Sequence, residues 1–104
     1  MLEGNLYQVL TKEEGNATVR FLPESPVYAA HFPGFPITPG VTLLQTALEL
    51  MGRRLRAAKD IKFLKPVFPG ATVRVEWTVE EDGAAQVMLY GSNGEPCARM
   101  LMSV

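Results

Sequence analysis

"HFPGFPITPGVTLLQTALEL", residues 31–50, decides how the rest of the chain is read. It joins a loop carrying Pro33, Gly34, Pro36, Pro39 and Gly40 to an apolar run with helical spacing. Prolines fix φ and leave such a loop few conformations, and the one histidine of the chain, His31, stands in it. From Gly40 to about Ala57 the 3.6-residue period dominates. Val41, Leu44, Leu48, Met51 and Leu55 form one stripe, and Leu43, Ala47 and Leu50 widen it. A helix apolar over most of its circumference belongs at the centre of a core. Thr38 and Pro39 suit its N-cap and first turn, while Arg53, Arg54, Arg56 and Lys59 gather where its C-terminal dipole favours cations.

Outward from the helix the period changes to two. On the N-terminal side, "LYQVL" and "ATVRFLP" read as short strands around the polar turn "TKEEGN", with Val19 and Phe21 on one face. "ESPVYAAHFPGFPITPG" holds too many prolines for regular structure and reads as an ordered loop whose Glu24 and Tyr28 are solvated, packed or at the mouth of a site. On the C-terminal side, "DIKFLKPVFPG", "ATVRVEWTVEEDG", "AAQVMLYGSNG" and "EPCARMLMSV" are strand-like runs separated by Pro-Gly, Asp-Gly and Asn-Gly turns. The last three form an antiparallel meander, in which Val73, Val75, Trp77 and Val79 alternate with polar neighbours. The expectation is a single α+β domain over residues 1–104, about six antiparallel strands wrapped around one long helix. So small a sheet leaves an edge and a helix flank uncovered, so pairing with a second copy is expected.

Composition narrows the function. A hydrophobic share of 47%, a charged share of 20% and a net charge of −1 exclude disorder and give no bulk attraction for nucleic acid. The absence of a long apolar run or a signal-peptide pattern predicts a cytoplasmic chain without a membrane span. Cys97 has no partner for an intramolecular disulfide, and with one histidine no metal site is expected, nor any cofactor. On its strand Cys97 reads as a small buried hydrophobe.

Two features carry chemistry. A histidine held in a rigid loop can act as a general base or simply cap a strand. At the helix start, the Gly40 and Val41 amides have no intrahelical acceptor, so they can polarise a carbonyl oxygen or merely open a helix.

"PVYAAHFPGFPITPGVTLLQTALEL" with "IKFLKPVFPGATVRVEW" resembles the 3-hydroxyacyl-(acyl carrier protein) dehydratases of the hotdog fold, the FabZ and FabA type, over roughly residues 17 to 80. The resemblance implies a homodimer, with higher oligomers or a heterodimer as variants, whose joined sheets enclose two tunnels. The substrate it implies is an acyl thioester of acyl carrier protein or coenzyme A. In that scheme His31 removes the proton beside the thioester carbonyl and the Gly40 amide polarises it. Phe32, Pro39 and Val41 line the site, and Arg53, Arg54, Arg56 and Lys59, with Lys62 and Lys65 in the same basic cluster, meet the acidic carrier.

This chain departs from the relatives at one place. They carry Glu or Asp where it has Gln45, and many carry Gln where it has Glu49. Gln45 has no proton to give, and losing a general acid typically costs on the order of 10² to 10⁴ in rate. Helical side chains lean toward the N-terminus, so Glu49 points back at Gln45. It then serves through a bridging water, or is only a carboxylate bonded to Gln45 or to a partner chain. Three functions follow as expectations: a 3-hydroxyacyl-thioester dehydratase yielding a trans-2-enoyl thioester, a silent hotdog subunit paired with an active one, or a hotdog thioesterase.

Overall fold

The computed structural model describes residues 1–30, 34 and 36–104; His31, Phe32, Pro33 and Phe35 lie outside the described residues. The elements run β1 (Tyr7–Glu13), β2 (Asn16–Phe21), α1 (Pro26–Ala30), α2 (Gly40–Met51), β3 (Ala57–Phe63), β4 (Thr72–Val79), β5 (Ala84–Tyr90) and β6 (Pro96–Ser103). The strands form one six-stranded sheet in the order β1-β2-β4-β5-β6-β3, every pairing antiparallel. With one long helix against it, this is the hotdog arrangement the sequence leads one to expect, and β4-β5-β6 is the meander.

The two-residue period sets the core. Ala17, Val19 and Phe21 of β2, Val73 and Val75 of β4, Val87 and Leu89 of β5, and Ala98, Met100 and Met102 of β6 are buried. Leu43, Ala47 and Leu50 of α2 join them in one cluster. Trp77 and Val79 are only partly buried, so the inward face of β4 thins toward its end. Cys97 is buried and unpaired, and burial first of all pushes its thiol up, as befits a packing residue.

Local details correct the sequence reading in four places. The first hairpin is tighter than "TKEEGN" implied, because Glu13 pairs with Asn16 and Gly15 takes the left-handed φ of +82° that a two-residue turn demands. The proline-rich segment is not wholly irregular. Ser25 precedes Pro26, a cap followed by a first-turn proline, and the short α1 follows, its Val27 amide donating to Ser25 Oγ at 3.3 Å.

Thr38 does not cap α2; its hydroxyl bonds Tyr28 Oη at 2.7 Å in the interior, and Pro39 takes the N-cap position. The helix also ends early. Gly52 enters the left-handed region at φ 67°, and the amides of Gly52 and Arg53 close on the carbonyls of Glu49 and Leu48. The glycine stop outweighs the apolar period that Leu55 seemed to continue. Arg53, Arg54 and Arg56 therefore follow the helix, and Lys59 lies in β3 at an irregularity between Ala58 and Asp60.

Candidate functional site

Helix α2 presents two unlike flanks. Leu43, Thr46, Ala47 and Leu50 are buried toward the sheet, Thr46 satisfying its hydroxyl on the Thr42 carbonyl at 2.8 Å. Of the stripe beginning at Val41, Leu48 is buried in the core cluster and Leu44 and Met51 pack against it, whereas Val41 itself is 71% exposed. The outer flank borders an open groove of about 520 Å³, walled by Leu2, Val41, Leu44, Gln45 and Leu48, with Arg53 and Arg54 at one end. A groove of equal size on the outer face of the sheet has Arg74 already paired to Glu76 at 2.7 Å. The groove beside α2 is the candidate site, because it combines an apolar wall with the polar side chain of Gln45 and reaches Val41 and Thr42 in the first turn of the helix.

Gln45 and Glu49 meet as the lean of helical side chains requires. Gln45 Nε2 donates to Glu49 Oε2 at 3.2 Å. Glu49 is otherwise taken up by its own chain. The Leu2 amide donates to both carboxylate oxygens, at 3.0 and 2.9 Å, the Glu3 amide to Oε1 at 3.2 Å, and the Tyr7 hydroxyl to Oε1 at 2.9 Å. Burial pushes the Glu49 carboxyl up, but the donors from Leu2, Gln45, Tyr7 and Glu3 outweigh it and hold the group below the usual carboxylate range. Tyr7 moves the other way: burial, then the neighbouring carboxylate, raises its phenol well above the ordinary value. Near neutral pH the pair is therefore an anion bonded to a neutral phenol.

This clasp is what the sequence reading missed. Tyr7 lies 42 positions from Glu49 and Leu2 lies 47, so no local spacing announces it. The clasp seats the N-terminal segment over the helix and makes Leu2 a wall of the groove.

At the start of α2, Gly40 lies against the half-exposed ring of Phe63 in β3. A Cβ on Gly40 would fall 2.6 Å from two atoms of that ring. The bare α-carbon admits an aromatic ring of the same chain, a second reason for glycine there beside the close approach of a ligand. Pro39 is buried and Val41 stands open to the groove, while the predicted base His31 and lining residue Phe32 lie outside the described residues. Tyr28 is packed, not at a site mouth, and Glu24 is exposed.

Arg53, Arg54, Arg56 and Lys59 are exposed and none makes an ion pair among the described residues, whereas Lys62 pairs with Asp60 at 4.0 Å and Lys65 with Glu95. Among the described residues no group of three or more His, Cys, Asp or Glu side chains is placed to hold a metal. No described helix is long and apolar enough to cross a membrane.

Comparison with known proteins bears on the family and the fold. The ApeI-like family model, described as ApeI dehydratase, matches residues 8–100. The 3-hydroxyacyl-(acyl-carrier-protein) dehydratase FabZ of Geotalea uraniireducens (strain Rf4) is 33% identical over 66 residues, 49% of this chain and 46% of that protein. The FabZ of Solibacter usitatus (strain Ellin6076) is 29% identical over 80 residues, 64% of this chain and 49% of that one. The matches thus span about half the length of these curated relatives.

Among solved structures, the dehydratase heterocomplex ApeI:P from Xenorhabdus doucetiae superposes with a TM-score of 0.79 at 16% identity, covering 93% of this chain and 96% of that one. The E. coli PaaI protein gives 0.63 at 19%, covering 97% and 83%. A hypothetical thioesterase protein with coenzyme A from Streptococcus pneumoniae TIGR4 gives 0.58 at 15%, covering 94% and 87%. At such identities the likeness concerns the fold.

Proposed function

The chain belongs to the ApeI-like dehydratase family, and from that premise we propose that it binds 3-hydroxyacyl thioesters and removes water from them to give trans-2-enoyl thioesters. The observation that carries this reading is the groove in which Gln45 stands among Val41, Leu44 and Leu48.

The roles follow from the chemistry each residue retains. His31 takes the proton from C2 while the Gly40 amide holds the enolate oxygen. Gln45 accepts a hydrogen bond from the C3 hydroxyl, which turns an oxygen lone pair toward the imidazolium. The same proton then passes to that oxygen, the C3–O bond breaks, the C2=C3 bond forms and water leaves. Glu49, held as an anion, gives no proton. Without a dedicated acid the reaction runs on the order of 10² to 10⁴ slower than with one. The same engagement of both Glu49 oxygens weighs against hydrolysis by a Glu49-activated water.

The partners follow from exposure. Two copies pair across the open flank of α2 and the β3 edge, where Val41, Phe63 and the adjoining Leu64 leave apolar surface exposed. Arg53, Arg54, Arg56 and Lys59, which make no ion pair among the described residues, receive the acidic carrier, or the phosphates of coenzyme A.

Enoyl-thioester hydration, the reverse reaction, tests the scheme. The wild type should hydrate slowly, His31→Ala should abolish the reaction, and the double variant Gln45→Glu with Glu49→Gln should accelerate it by about 10²-fold or more. Thiol release with the double bond untouched would overturn the scheme in favour of a thioesterase. A second reading, that of a silent subunit, draws on Gln45 standing where a proton donor is needed and on the ApeI:P neighbour being a heterocomplex. It predicts no reaction from the chain alone and activity on mixing with an acid-bearing hotdog partner.

A further inference from the structure

We infer that Glu49 is a positioning residue that fixes the Gln45 amide with its carbonyl oxygen toward the groove, so that the groove selects acyl thioesters bearing a hydroxyl at C3 over their 3-oxo counterparts. The inference rests on the acyl-thioester reading above and adds what decides between two substrates of equal length.

An ionised carboxylate only accepts hydrogen bonds, so the end of the Gln45 amide facing it must be the NH₂. The 3.2 Å contact from Nε2 to Glu49 Oε2 meets that requirement. Glu49 is itself held still by the Leu2 and Glu3 amides and the Tyr7 hydroxyl, which arrive from a different part of the chain. The amide therefore has a preferred sense. Its Oε1 has no donor among the described residues, and Gln45 lines the groove.

A 3-hydroxyl can donate to that oxygen. A 3-oxo group offers only lone pairs, and the two acceptors repel. Leaving a polar group unmatched in this way typically separates two ligands by about tenfold. Were Glu49 absent or neutral, the amide would be free to turn its NH₂ outward and the selection would vanish. Gln45 is the specificity-determining contact, and Glu49 acts through it.

Three non-cleavable thioether analogues of coenzyme A, carrying 3-hydroxybutyryl-, 3-oxobutyryl- and butyryl-like chains, provide the test by calorimetric titration of the full chain. The wild type should bind the hydroxy analogue about tenfold more tightly than the oxo analogue. In Glu49→Met the ratio should fall to near one, whatever happens to absolute affinity, and a purely structural role would weaken the analogues alike. Gln45→Met, at an exposed position, keeps the test decisive if Glu49→Met does not fold, since it should also erase the ratio. Binding of all three analogues with no hydroxy preference in the wild type, or with the preference intact in either variant, would overturn this inference and leave the acyl-thioester reading standing. Failure of all three to bind would overturn both.

Discussion

The two flanks of α2 are built on opposite rules. Toward the sheet, Leu43, Ala47 and Leu50 meet the inward residues of β2, β4, β5 and β6, and the flank is held by burial without direction. Toward the groove, Gln45 and Glu49 are held by directed hydrogen bonds from the N-terminal segment and Tyr7. One helix thus serves as a core element on one side and as a scaffold for polar groups on the other. Burial tolerates small changes of angle. The polar side works only if one carboxylate stays charged and fully donated to.

The strongest way to break the comparison is on the sheet side. Leu50→Ala removes a buried side chain from the cluster and should cost about 2–5 kcal/mol, read from urea unfolding. A loss under about 1 kcal/mol would mean that the flank is not packed as described. On the groove side, Glu49→Met leaves the Leu2 and Glu3 amides and the Tyr7 hydroxyl without their acceptor and should cost about 1–3 kcal/mol.

The two substitutions should also differ in their response to pH. Because the folded chain lowers the Glu49 pKa, its contribution is complete above the unfolded value and is lost as pH falls through the folded one. Stability of Leu50→Ala should keep the wild-type acid slope, whereas Glu49→Met should lose part of it.

The same contrast explains what the sequence could tell. The sheet side was legible because burial writes a period: the alternation at Val73 and Val75, or at Ala17, Val19 and Phe21, survives in the folded chain. Even there the period misled at two points. It placed Val41 inside with Leu48 of the same stripe, yet only Leu48 is buried, since spacing identifies an apolar stripe but not how far along the helix the core covers it. It also carried the helix past Gly52, where a backbone preference ended it.

On the groove side the i, i+4 contact of Gln45 with Glu49 followed from helix geometry alone. The donors to Glu49 did not, because backbone amides have no letter in a sequence and Tyr7 is brought over by the sheet. The departure at position 45 was visible, but its meaning depends on whether Glu49 is free, which only the fold decides.

That question is open to direct measurement. Carbon-13 NMR titration of the glutamate side-chain carboxyls, with Glu49 assigned by its loss in Glu49→Gln, reads the charge of the group as pH is lowered. The account predicts a Glu49 midpoint below the ordinary values of glutamate carboxyls. A midpoint raised above those values, toward neutrality, would make Glu49 a proton donor and contradict the clasp.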